Sequence, residues 1–453
     1  MWLCRIIAVS LCGALFLHDA AGAAQKQGQR SRKRYRSSGA NSKPLRAPKV
    51  SAATRQEASE GVLEKISSGV QIPLENPAAL VPFFEQLYKR QTGEVSGPVH
   101  VLQYGDSHTA ADEWTGDLRE RFQEKFGDGG SGYVYAGRPY RGYRNFTAKA
   151  GSTKGWRPEG INGRRGDGAL GMGGIAMSAT KPREAVYLET EGDAFEVFYL
   201  RQPGGGAFGL YDSGELIETV STDGPLAPAY YRYETDSGLH RLEVETIDGS
   251  PVRLFGWSAD KPKGVTYEPL GINGASATMI LDWDEAVFGS NIARRNPGLI
   301  VLAYGTNEAG RKDWTVATYR EAYERILAKI RNAAPTAAIM VIGPPDRHIR
   351  TRKGWVPLSQ VDTIIEAQRQ AALAQNCAFW DLRAKMGGKG AMRQWVLAGM
   401  GQSDYAHFTA PGYRMMGDAV FRDIMSQYET FLRVRQPLTA STQPSASPLA
   451  NPR

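Results

Sequence analysis

Pro98-Val-His-Val-Leu-Gln-Tyr-Gly-Asp-Ser-His-Thr109 is the stretch whose reading decides the fold. Its first seven residues form a short, largely apolar run suited to a buried strand, and Gly105 permits a sharp turn directly after it. Helical spacing follows: over 112–126, Trp114, Leu118, Phe122 and Phe126 fall on one face. A buried strand, a glycine turn and an amphipathic helix open a parallel α/β sheet. Ser107 then stands at the carboxyl end of the strand, where open α/β sheets hold their sites.

The same alternation recurs downstream. Apolar runs at 265–270, 299–304, 338–342 and 378–382 read as strands, and helices are expected at 315–332, 360–375 and 412–432. An earlier helix, 76–91, has Pro77 in its first turn and is expected on the outside of the sheet. The rhythm fails between 127 and 264, far beyond the ~30 residues of one βαβ unit. Residues 129–174 are rich in Gly and basic side chains, as suits ordered loops. From 184 onward, short alternating runs (185–189, 194–200, 216–220, 239–245 and 252–257) are separated by Gly, Pro and Asp. Their spacing predicts an inserted β-sandwich.

The ends of the chain differ from its body. Arg5, the apolar run 6–16 and Ala21-Gly22-Ala23 have the layout of a secretory signal, and no later stretch is apolar enough to span a bilayer. The net charge of +8 is unevenly spread: residues 1–55 hold eleven Lys/Arg against the single acid Asp19, so the remaining residues carry about −2. The basic stretch is expected to be a solvated linker able to touch an anionic envelope, and export argues against nucleic acid as its partner. Cys4 and Cys12 would leave with the signal, so the mature chain keeps Cys377 alone, read as a buried thiol in the run Cys377-Ala-Phe-Trp380. The expected organisation is a signal (1–23), a basic linker (24–60), a first catalytic segment (61–127), the insert (128–264), a second catalytic segment (265–435) and a Pro/Ser/Thr-rich disordered tail (436–453).

Three motifs lie where the chemistry of such a fold belongs: Gly105-Asp-Ser-His-Thr109, Tyr304-Gly-Thr-Asn-Glu308, and Asp404-Tyr-Ala-His407 before the last helix. A serine hydroxyl is a weak nucleophile until a base takes its proton, and the usual base is a histidine oriented by a carboxylate. Of the six histidines, His18 lies in the signal, His100 in a strand, His240 in the insert and His348 in a basic loop. His108 follows Ser107 too closely to turn back onto it. His407 remains, with Asp404 three residues earlier.

This ordered set resembles the SGNH (GDSL-like) hydrolase superfamily. Ser107 matches its block I serine, Asn307 its block III asparagine, and Asp404 with His407 its block V pair. For block II, Leu270-Gly-Ile-Asn-Gly-Ala275 offers Gly274 as the oxyanion glycine, with Gly271 as the alternative. The resemblance spans roughly 98–432. It departs from the family pattern at His108, where Leu is usual, and at Glu308, where Asp is usual. Those departures, together with the β-rich insert, are similar to the periplasmic peptidoglycan O-acetylesterases. The resemblance implies a flavodoxin-like three-layer α/β hydrolase with a carbohydrate-binding-like insert. It also implies a periplasmic or secreted serine esterase without metal or cofactor, acting on an acetylated polysaccharide. Oxyanion donors would be the Ser107 and Gly274 N–H groups and the Asn307 side chain. The same triad serves an O-acetyltransferase equally well, and a glycan-binding protein without catalysis is the third alternative. A metallophosphoesterase would want a histidine beside Asn307, where Glu308 stands.

Overall fold

A computed structural model describes residues 48–67, 74–161, 164–352 and 354–440, the last five by backbone alone. The signal, most of the basic linker and the end of the tail lie outside the described residues.

Five strands form the parallel sheet: β1 (Val99–Gly105), β2 (Val265–Gly271), β3 (Leu299–Ala303), β4 (Ala338–Ile342) and β5 (Ala378–Trp380). Their spatial order, β2-β1-β3-β4-β5, is the doubly wound order of flavodoxin-like folds. Successive side chains point to opposite faces, so one strand feeds two cores. Leu102 and Tyr104 of β1, with Ile300 and Leu302 of β3, join the core beneath the helices Glu285–Arg295, Val316–Ala333 and Gln360–Ala374. Val99 and Val101, with Leu299 and Val301, face Phe83, Leu118, Trp395 and Ile424 from the helices on the other side. Cys377 is buried at the entry to β5, and burial pushes its thiol up to about 11, the signature of an inert core residue.

The expected strands and helices of this sheet are present to within a few residues at most ends. Three elements extend the expectation or correct it. Residues up to 60 were expected to be linker, but Ala52–Ser67 is a helix that buries Ala58, Val62 and Ile66. Glu285–Arg295, absent from the expected elements, follows β2 and is capped by Asp284, whose carboxylate accepts from Val287 N at 2.8 Å. The last helix runs Ala410–Ala440, past the expected end at 432 and into the first residues of the expected tail. Among the described residues no helix is long and apolar enough to cross a membrane.

Between β1 and β2 lies an extra antiparallel sheet. The expected two-sheet sandwich takes the form of one nine-stranded sheet organised by two long strands, Ala185–Arg201 and Ala227–Thr246. Runs read from sequence as separate strands, 185–189 and 194–200, are one strand with a register irregularity between Gly192 and Ala194. The supposed loops around 129–174 contain the short strands Gly132–Tyr135, Lys149–Ser152 and Arg157–Glu159. This sheet is bound closely to the parallel one. Its Phe198, Phe255 and Trp257 share a core with Tyr104, Trp283 and Phe288, and Tyr104 Oη donates to Met172 O at 2.9 Å.

An ionic cluster sits at the junction. Arg295 closes its helix and reaches Asp260 at 2.6 and 2.8 Å and Glu268 of β2 at 3.0 Å, all three being buried. Burial raises the Glu268 pKa, but the charges of Arg295 and His100 and their hydrogen bonds outweigh it and hold the carboxyl at about 2. One residue earlier, Arg294 pairs with Glu196 of the long insert strand.

Candidate active site

Gly105 ends β1 against its neighbours: a Cβ there would lie 2.1 Å from Thr109 Oγ1 and 2.8 Å from Ala303 O. The chain therefore turns tightly, and Ser107–Ala110 forms a single helical turn capped by Asp106, whose Oδ1 accepts from His108 N at 2.9 Å. Ser107 opens that turn, where backbone N–H groups lack intrahelical acceptors. Its Oγ lies 2.8 Å from His407 Nε2. On the other side of the ring, His407 Nδ1 lies 2.7 Å from Asp404 Oδ2. Asp404 Oδ1 accepts from the Ala406 and His407 N–H groups, each at 3.0 Å, so the carboxylate fixes its own loop as well as the imidazole.

The electrostatics follow from these contacts. Burial raises the Asp404 pKa, yet the bonds from His407 and the two N–H groups hold it at about 2. For His407, burial lowers the pKa, but the Asp404 hydrogen bond and charge outweigh it and raise it above the ordinary histidine value. The three groups line a cleft of about 500 Å³ shared with Asn273, Glu113 and Arg144.

Asn307 and Glu308 clasp the loop that follows β2. That loop makes a turn closed by Ala275 N to Ile272 O at 3.0 Å, with Gly274 at φ +76°, a conformation that favours glycine. Asn307 Nδ2 donates to Ala275 O at 2.8 Å and stands 3.5 Å from Asp106 Oδ2. Glu308 Oε1 accepts from Ala277 N at 2.7 Å and from Tyr319 Oη at 3.0 Å. Burial pushes the Glu308 carboxyl up to about 7 and Asp106 up to about 6. Gly271 stands elsewhere: it pairs in register with Gly105, and its carbonyl accepts from Tyr140 Oη at 2.6 Å.

Two supports were not read from the sequence. His108, set aside as too close to Ser107, stacks on His407 with ring centroids 4.9 Å apart and bonds Tyr413 Oη through Nδ1 at 2.9 Å. Burial and the neighbouring His407 keep it well below the usual histidine range, so it backs the imidazole as a neutral ring. The unusual His at that block I position was the available signal. The second support is the hairpin of His348–Thr351 and Gly354–Pro357, whose Trp355 stacks on Tyr405 at 4.5 Å. His348 N also donates to Tyr405 O at 3.0 Å, steadying the loop between Asp404 and His407.

The doubly wound sheet thus carries at its carboxyl edge a hydrogen-bonded serine–imidazole–carboxylate chain, the arrangement by which a histidine base activates a serine hydroxyl. Residues 249–415 match the model of the GDSL-like lipase/acylhydrolase family, and the chain is a carboxylic ester hydrolase. The match starts after most of the insert, so Ser107 lies outside it. A solved peptidoglycan O-acetylesterase is 25% identical with a TM-score of 0.66, covering 77% of this chain and 96% of its own. A lipase/acylhydrolase from Enterococcus faecalis is 23% identical, covering 36% and 78%, with a TM-score of 0.28. A family two carbohydrate esterase from Clostridium thermocellum is 11% identical, covering 65% and 99%, with a TM-score of 0.30. No curated protein matches the chain.

Proposed function

We propose that the enzyme is an exported serine acetylesterase that removes O-acetyl groups from a cell-envelope or extracellular polysaccharide. The observation that carries this reading is the Ser107–His407–Asp404 chain, at 2.8 and 2.7 Å, in a cleft that also takes in Gly142 and Arg144 from the insert. His407 Nε2 takes the Ser107 proton as Oγ attacks the acetyl carbonyl, and Asp404 stabilises the imidazolium so formed. The oxyanion is held by the Ser107 and Gly274 N–H groups and the Asn307 amide. Gly274 is preferred to Gly271 because it lies on the turn clasped by Asn307, and among the described residues its N–H has no protein acceptor. One such donor typically lowers the barrier by about 3–4 kcal/mol. The imidazolium then protonates the sugar oxygen as it leaves. Water, deprotonated by His407, attacks the acetyl-serine, releasing acetate and restoring the hydroxyl.

The likeness to a peptidoglycan O-acetylesterase over 77% of this chain supports an acetylated glycan as substrate. The layout of residues 1–23 supports export, and the basic residues up to 55 suit contact with an anionic envelope. The test is acetate release by the purified mature chain from a panel of O-acetylated polymers, with unacetylated oligomers and an acetyl ester donor run beside it. Acetate from at least one polymer is expected. Hydrolysis confined to small esters would overturn the polymer substrate, and acetylation of the oligomers outrunning acetate release would make the enzyme a transferase.

A further inference from the structure

We propose that a continuous groove leads from the Ser107 cleft over Phe146 to Leu239 and binds the glycan strand that flanks the acetylated sugar, with Phe146 as its stacking platform. This rests on the polysaccharide reading above and adds where the strand lies. Three hollows of about 500, 300 and 540 Å³ follow one another along the molecule. The first holds Ser107 and shares Glu113 with the second; the second shares Gln123, Phe146 and Thr147 with the third. Each falls within the ~300–1,000 Å³ of a ligand site, so the run is longer than a lone acetyl ester could fill. A polymer whose acetyl group sits at Ser107 must continue past the cleft, and the next hollow begins at Glu113, whose carboxylate is paired with the exposed Arg144 of the cleft at 3.2 Å.

Phe146 stands where the second and third hollows meet. It is a large apolar side chain left 55% exposed. Its ring lies against Gly116, where an added Cβ would come within 3.2 Å of Cδ2, so the side chain rests on the helix Glu113–Phe126. The backbone beneath it is fixed before any ligand arrives. Phe146 N donates to Asp112 Oδ2 at 2.8 Å, and Asp112 is itself clamped by Arg119 and Thr115, each at 2.7 Å. Asn145 Oδ1 accepts from Thr147 N and Ala148 N, both at 3.0 Å. A preformed ring costs little ordering on binding. Its flat apolar face suits the C–H face of a pyranose, while Gln123 and Thr147 beside it offer polar groups to the hydroxyls. At the far end Leu239 is 67% exposed, extending the apolar contact.

The experiment uses soluble O-acetylated peptidoglycan strands fractionated by length, with p-nitrophenyl acetate as the small ester. In wild type, kcat/KM should rise with strand length until the groove is filled. Phe146→Ala should lower kcat/KM on long strands about tenfold and leave p-nitrophenyl acetate unchanged, with Phe146→Tyr retaining most of the strand activity. Leu226→Ala, an exposed apolar residue outside these hollows, should change neither. Strand binding to Ser107→Ala protein is measured by calorimetry with and without Phe146→Ala, so the groove is read independently of turnover. Binding weakened about tenfold by Phe146→Ala supports the groove even if no acetate is released, an outcome that would sink the esterase reading alone. Acetate release with no dependence on strand length or on Phe146 overturns the groove and leaves the esterase standing. Absence of both binding and release, with these strands and with every other O-acetylated polymer of the panel, overturns both.

Discussion

The parallel sheet is buried on both faces, whereas the inserted sheet gives much of itself to solvent. Every residue of β3 and β4 is buried; in the insert, the strand Glu215–Ser221 buries Val220 alone. The sheet closed on both faces leaves its loops as the place for chemistry, and those at its carboxyl edge bring Ser107, Asn307 and His407 together from widely separated parts of the chain. The open sheet holds no part of the triad. It reaches the cleft through Gly142 and Arg144 and shapes what lies beyond it. Substitutions on the two sides should therefore fail differently: one set in turnover of any ester, the other in stability or in turnover of polymer alone.

The largest effect belongs to the triad. Ser107→Ala should lower kcat/KM for p-nitrophenyl acetate at least a thousandfold, about 4 kcal/mol or more, with the fold intact because one loop hydroxyl contributes little packing. Most of the activity surviving would move the nucleophile elsewhere. The pH profile sharpens the assignment. His407 must be neutral to accept the proton, and its pKa is raised above the ordinary histidine value of 6.5, so the acid limb of kcat/KM should fall above pH 6.5. Asp404, held at about 2, stays ionised throughout. Asp404→Asn should remove the upward shift along with most of the rate.

That side of the molecule was also the more legible in sequence. Short apolar runs bounded by glycine and alternating with helical spacing are short enough to read as buried strands, and the three motifs stand at their ends. Glu308 was visible only as an unusual residue, because its bond to Ala277 joins segments thirty-one positions apart. His108 was set aside on local spacing, since no pattern in the sequence says that its ring would stack on that of the distant His407. In the insert, alternation located most of the strands, but their pairing depends on register. Gly192 and the stretch near 234–238 look like turns, although the strands continue through them as a single irregular pair. The helix Ala52–Ser67 was missed because its amphipathic face is narrow and a basic linker precedes it.

Next in size is the junction between the two sheets. Arg295→Ala leaves Glu268 and Asp260 buried without their cation, which typically costs about 3–5 kcal/mol, and urea unfolding should show it. The pH dependence should change as well. In wild type Glu268 is depressed from 4.5 to about 2, so its contribution is fully present above pH 4.5 and is lost as pH falls toward 2. Without Arg295 the largest opponent of burial at that carboxyl is gone and only His100 and Thr266 remain beside it, so its protonated form is favoured and the variant should lose less stability on mild acidification than wild type, or gain some. Unchanged stability would mean that the insert is held by its apolar contacts and that the ionic cluster contributes little.

Glu308 tests whether the clasp on the loop proposed to hold the oxyanion matters to turnover. Glu308→Ala removes the acceptor for Ala277 N and frees the loop that carries Gly274, so kcat should fall about tenfold with KM little changed, or ~1.4 kcal/mol in the barrier. Glu308→Gln keeps an oxygen in the same place and should restore most of the rate. A residue serving stability alone would lower the unfolding midpoint and leave kcat of the folded fraction unmoved.

The smallest effect is expected at Tyr230, in the insert strand Ala227–Thr246, where an exposed ring would make a platform for sugars. Tyr230 does not serve that way. Its ring packs edge-on against Phe198 at 5.2 Å and under the Arg294 guanidinium at 5.3 Å, toward the helix Glu285–Arg295. Its hydroxyl is buried with no hydrogen-bond partner among the described residues, and burial pushes it up to about 12. A buried hydroxyl without a partner is a cost to the folded state, so Tyr230→Phe removes a liability and keeps the ring. Stability should stay within about 0.5 kcal/mol of wild type or rise slightly, and neither p-nitrophenyl acetate nor polymer turnover should change. Polymer turnover that fell while the small ester was spared would return Tyr230 to the glycan surface and place the strand on the side of the insert facing Arg294, away from Phe146.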